Sequence, residues 1–84
     1  MNIKMKITCE QMPNQIEGIA KGKRFYFRAR HDFYSLRLMT HSNDFDGIVI
    51  DERSFDGAGW WNKKKMLKMC KRAIYRAHKR GSFR

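Results

Sequence analysis

The sequence predicts an α+β domain: an antiparallel β-meander of four to five strands with one carboxy-terminal amphipathic helix packed on a face. Three observations predict it. Apolar and polar residues alternate through much of the first 55 positions, turn residues break that alternation at short intervals, and the repeat lengthens to 3.6 residues after Gly57-Ala58-Gly59. Eighty-four residues, 42% of them apolar, suit one domain with one core, the sheet over about 2–55 and the helix over about 62–80.

The strands follow in chain order. Ile3, Met5, Ile7 and Cys9 alternate with Lys4, Lys6, Thr8 and Glu10, the pattern of a half-buried strand that Met12-Pro13-Asn14 ends. Ile16 to Ala20 forms a second strand, closed by the tight turn Lys21-Gly22. Phe25, Phe27 and Ala29 then share one face, and Arg24, Tyr26, Arg28 and Arg30 the other. His31-Asp32 turns the chain into a fourth strand, where Tyr34, Leu36 and Leu38 share a face. Thr40 to Asp44 reads as a polar loop, and Asp46-Gly47 leads into a fifth strand, Ile48-Val49-Ile50. Phe-Asp-Gly occurs at 45–47 and again at 55–57, and both copies read as turns rather than as a repeat.

The helix has its own signals. Asn62 suits the N-cap, because its side-chain oxygen can accept a backbone N–H of the first turn. Met66, Leu67, Cys70, Ala73, Ile74 and Ala77 gather on one side at helical spacing and predict the surface that meets the sheet. Gly81 suits the stop. Trp60 and Trp61 are adjacent, so the expectation is one ring at the sheet–helix junction and one ring outside.

Charge is the most informative feature for function. The net charge is +11, yet residues 1–56 hold nine Lys/Arg against all eight Asp/Glu, a balance of +1. Residues 57–84 hold ten Lys/Arg and no acid, the other +10. Self-repulsion opposes gathering like charge in one element, so its concentration points to an anion-binding surface. On the helix, Lys64, Lys65, Lys68, Lys71, Arg72, Arg76 and Lys79 fall opposite the apolar stripe, with Tyr75 at the centre of their sector. Cations neutralise phosphates and an aromatic ring stacks on bases, so this face suits nucleic acid, DNA or RNA. Lys63, Lys64 and Lys65 crowd the helix amino terminus, where the macrodipole disfavours each exposed cation by about 0.3–1 kcal/mol. The competing reading is a solvated basic face, which ordinarily carries acids at i,i+4 spacing; here there are none. A secondary patch, Arg24, Tyr26, Arg28 and Arg30 with Arg37 beside it, has the general chemistry of RNA-binding sheets. Its surroundings, Lys21 to Phe27, do not fit the RRM octamer and lack a βαβ pattern.

Other chemistries find less support. Cys9 and Cys70 are far apart and read as two buried, reduced thiols. His41, Asp44 and Asp46 cluster in the sequence but match no metal loop, so no metal and no cofactor is expected. His31-Asp32 as a base and its orienter is less apt than as turn chemistry. With no phosphate loop and no nucleophile in a recognisable setting, the expectation is a non-catalytic protein. No run approaches a membrane span and the amino terminus lacks a signal-peptide pattern, so a cytoplasmic protein that does not engage membrane is expected.

The rival expectation is a small inhibitor docking its basic helix on an acidic protein surface or a nucleic-acid-processing complex. Small size, a lone helix on a sheet and high positive charge give the chain a likeness in character, not in motif, to the compact inhibitors of phages and mobile elements, anti-CRISPR proteins among them. The open edges of such a sheet also offer a route to a homodimer.

Overall fold

The computed structural model describes residues 2–10, 14–39 and 47–83. Five strands form one antiparallel sheet in chain order: β1 (Ile3–Glu10), β2 (Asn14–Ala20), β3 (Lys23–Arg30), β4 (Phe33–Leu38) and β5 (Ile48–Ser54). A single 3-10 turn, Ala58–Trp60, then leads into the helix α1 (Lys63–Lys79). The α+β meander is therefore the fold. The Met12-Pro13 break, the Thr40–Asp44 loop, the Asp46 half of the following turn and the His41/Asp44/Asp46 cluster lie outside the described residues.

The register explains the predicted alternation. One row across the sheet runs Ile7, Ile16, Phe27, Leu36 and ends on Asp51; a second runs Met5, Gly18, Phe25, Leu38 and Ile48. The helix covers the face these rows share. Ile16, Phe25, Phe27 and Leu36 are fully buried under Met66, Cys70, Ala73, Ile74 and Ala77, each large side chain contributing about 1.5–3 kcal/mol of hydrophobic stabilisation. Burial also pushes the Cys70 thiol well above its ordinary value, which keeps it protonated, whereas Cys9 is only half-buried rather than buried as expected.

Two details of the helix differ from the sequence reading. Met69 joins the buried stripe, and Leu67 stays half-buried. Leu67 faces β1, the edge strand, beyond which no further strand of the described residues covers it. The fifth strand also runs four residues past Ile50, to Ser54. Its tail, Asp51-Glu52-Arg53-Ser54, has no apolar alternation and is held by pairing with β4.

Local chemistry sets the helix's position. The Asn62 side chain accepts the Lys65 N–H at 2.8 Å, the predicted cap. At the other end Gly81 takes φ 83°, its N–H bonds to His78 O at 2.9 Å, and Ser82 N–H reaches Ala77 O at 3.0 Å, a Schellman stop. The approach is clamped by Asn14: its fully buried Nδ2 donates to the carbonyls of Ala58, Gly59 and Trp61 at 3.3, 3.2 and 3.1 Å. Gly59 is required here, since a Cβ would lie 2.4 Å from the His31 nitrogen. The His31-Asp32 turn is structural, with the Asp32 carboxylate accepting the Gly57 N–H at 2.8 Å. Trp61 is buried at the junction against Tyr34 and Phe55, while Trp60 is 65% exposed, as adjacency predicted. Among the described residues no helix is long and apolar enough to cross a membrane.

Candidate nucleic-acid interface

The helix turns Lys64, Lys68, Lys71, Arg72, Tyr75 and Lys79 to solvent, and Lys65 is partly exposed beside them. At 100° per residue these seven fall in a sector about 120° wide centred near Tyr75. The 17 helical residues give the helix a length of about 26 Å. Among the described residues none of the six cations in this sector forms an ion pair. Lys65 leans toward the Phe55 ring, its Nζ 5.8 Å from the centroid. The sector is unneutralised and outward-facing.

Arg76 departs from the sequence reading. At the margin of the same sector, it turns inward, and its side chain is only 28% exposed. Its Nη2 donates to Asp51 Oδ2 at 2.9 Å and to the Tyr34 hydroxyl. Arg80 reaches the other Asp51 oxygen at 3.1 Å and the Ile50 carbonyl. The cause is the sheet row that ends in Asp51: the inner face of β5 offers a carboxylate, 6% exposed, where the other strands offer apolar side chains. Two arginines neutralise that buried acid, and so Arg76 belongs to the helix–sheet junction. Burial raises the pKa of the neighbouring Tyr34 hydroxyl, with Arg76 acting in the opposite sense.

The helix and β1 together build a groove. Met5 and Leu67, both half-buried, form its apolar floor; Lys64, Lys68, Lys71 and Arg72 surround it, and Tyr75, 48% exposed, lies alongside. This space is about 450 Å³, and a second hollow of about 530 Å³ continues from Met5 and Leu67 past Ile7 toward Cys9 and Lys63. Met5 and Leu67 read from the sequence simply as core. Their availability follows from β1 being the edge strand of the meander, so that among the described residues no further strand flanks the helix on that side.

The secondary patch is divided. Arg24, Tyr26, Arg28 and Arg30 do share the sheet face away from the helix, as alternation requires. Arg24 and Arg30 are exposed and Arg28 is half-buried. Tyr26, however, is 5% exposed, in register with Glu17 on one side and Arg37 on the other. Its ring has no face left for stacking. Burial raises its pKa, partly offset by Arg28.

Compared with family models, curated proteins and solved structures, the chain matches none.

Proposed function

We propose that this protein is a non-catalytic nucleic-acid-binding protein that grips phosphates with the outer face of α1. The observation that carries the reading is the sector of Lys64, Lys65, Lys68, Lys71, Arg72 and Lys79, unpaired among the described residues and centred on an exposed tyrosine. Six cations along roughly 22 Å match the spacing of a polyanion better than that of a single small anion. The apolar floor beside Tyr75 supports a strand whose bases are accessible, since Met5 and Leu67 accept a base or sugar while the lysines hold its backbone.

A second reading has support from the same floor. An acidic protein segment carrying an apolar side chain would also satisfy Met5, Leu67 and the cationic surround, and this chain would then act as a small inhibitor of the phage or mobile-element type docking on that acidic surface. Purification at low salt separates the two. Nucleic-acid binding predicts copurifying absorbance at 260 nm that nuclease or high salt removes. A preparation free of nucleic acid, together with no binding of labelled DNA or RNA oligonucleotides at low salt, would overturn the first reading in favour of the second.

A further inference from the structure

The sheet face away from the helix carries a second concentration of positive charge that the helix reading does not use. Cross-strand register sets Arg28 opposite Ser35, Arg30 opposite Phe33 and Tyr26 opposite Arg37. Arg28, Arg30, Phe33, Ser35 and Arg37 thus surround one hollow of about 150 Å³ between β3 and β4. A water needs roughly 10–15 Å³ on such a measure, so the hollow has room for an oxyanion with several oxygens but not for a whole nucleotide.

The lining is unusual for a structural feature. Three guanidinium groups share it, and among the described residues no carboxylate lines it. Among the described residues, neither Arg28 nor Arg30 forms an ion pair. The Arg28 Nε is buried without a hydrogen-bond partner, a donor whose desolvation nothing offsets. Ser35 is 3% exposed, with its Oγ 3.5 Å from Arg37 Nε, so a hydroxyl is available deep in the hollow. Among the described residues, the acids on the same face are Glu17, opposite Tyr26, and Glu52, opposite Ser35 on β5; neither lines the hollow. At its wall stands Phe33, 40% exposed, the accessible aromatic that Tyr26 is not.

From these observations we propose a nucleotide-phosphate site in the β3–β4 hollow, independent of the helix face. The phosphate is held by Arg28, Arg30, Arg37 and the Ser35 hydroxyl, and the base, too large to enter, lies against the Phe33 ring. Guanidinium forks match phosphate oxygens in pairs, and an aromatic beside them accepts any base. The same chemistry is presented by a free nucleotide and by a nucleic-acid strand.

The test follows the arginine Nε–H resonances of labelled protein during titration, in a background carrying Lys64→Ala, Lys65→Ala, Lys68→Ala, Lys71→Ala, Arg72→Ala and Lys79→Ala so that the helix face is silent. The probes are inorganic phosphate, adenosine 5′-monophosphate, and short single-stranded oligonucleotides with a 5′-phosphate or a 5′-hydroxyl. The expected result is saturable displacement of the Arg28 resonance by phosphate and by the nucleotide. Arg28→Gln should weaken binding by at least about tenfold, and the exposed Arg30→Gln, which leaves the fold undisturbed, by about fivefold. Phe33→Ala should weaken the nucleotide severalfold and leave inorganic phosphate unchanged. If the 5′-hydroxyl oligonucleotide binds as tightly as its phosphorylated counterpart, the ligand is an internal phosphodiester of a strand; if only the phosphorylated one binds, it is a terminal phosphate or free nucleotide. An Arg28 resonance unmoved by every probe, or an Arg30→Gln variant that binds unchanged, would overturn the proposal. Either result leaves the helix reading intact, because these titrations do not involve that face.

Discussion

The Arg76 guanidinium sits 2.9 Å from the Asp51 carboxylate, and this pair separates cations that hold the helix on the sheet from those of its outer sector. Arg76 and the C-cap residue Arg80 turn toward Asp51 on the inner face of β5, and both belong to the fold. Lys64, Lys65, Lys68, Lys71, Arg72 and Lys79 have no such anchor and remain available to a partner.

The division predicts opposite phenotypes. Asp51→Ala leaves Arg76 half-buried and unpaired, and because Arg80 is 48% exposed and stays hydrated, the loss is about 2–3 kcal/mol rather than that of a fully buried triad. In a domain of this size the thermal midpoint should fall by roughly 10–20 °C, while the salt dependence of binding is unchanged below the transition. Lys71→Met should do the reverse: an unaltered melt, and a binding slope against log salt shallower by about 1.

Tyr75→Ala isolates the stacking contribution. The ring is exposed, so its removal should leave the melting curve within about 0.5 kcal/mol of the parent. Affinity for single-stranded oligonucleotides should drop by about 1–3 kcal/mol, roughly 5- to 150-fold, measured by fluorescence anisotropy. Affinity for an inorganic polyanion such as polyphosphate, which has no bases, should stay the same.

Asn14→Leu tests how the helix is aimed. The substitution removes the buried amide whose two N–H groups are shared among the carbonyls of Ala58, Gly59 and Trp61; Ala58 O keeps the Trp61 N–H, while the Gly59 and Trp61 carbonyls lose this donor. A loss of about 2–4 kcal/mol is expected in chemical denaturation, even though leucine is the more hydrophobic residue. A neutral or stabilised Asn14→Leu variant would mean the clamp contributes nothing.

Alkaline pH should destabilise the domain through its buried hydroxyl and thiol groups. Burial raises the Tyr26, Tyr34 and Cys70 pKa values, so the fold favours their neutral, protonated forms. A raised folded-state pKa stabilises fully below the ordinary value and is lost as pH climbs above it, from 9.0 for the thiol and 10.0 for the phenols. Thermal midpoints should hold level from pH 7 to about 9 and fall beyond it, and Tyr34→Phe should flatten part of that decline.

Much of the architecture was legible in the residue pattern because strand and helix periods are steric consequences of the backbone. Alternation placed Phe25, Phe27, Tyr34 and Leu36 inside correctly, and the Asn62 and Gly81 caps act as their chemistry requires. What periodicity does not carry is the identity of the group across the interface. Arg76 occupies the margin of the basic sector by angle, and only the register of β4 with β5 shows that Asp51 lies beneath it. Asp51 sits in a polar stretch with no alternation, which hid both the length of β5 and its inward acid. Tyr26 shows a related limit: alternation gives the side of a sheet but not the exposure, and long neighbours in register from β2 and β4 bury that ring. The groove beside β1 and the hollow around Ser35 depend on which strand is an edge and on which residues meet across strands, so neither is written in local sequence.

The salt dependence of oligonucleotide binding tests the central claim most directly. With six helix cations on the phosphates of a duplex, log K should fall against log salt with a slope near −5, shallower for a single strand, and the Lys64/Lys68/Lys71/Arg72 alanine variant should retain only about two of those units. A slope near zero, or a parent slope preserved in that variant, would contradict phosphate binding by the outer face of α1.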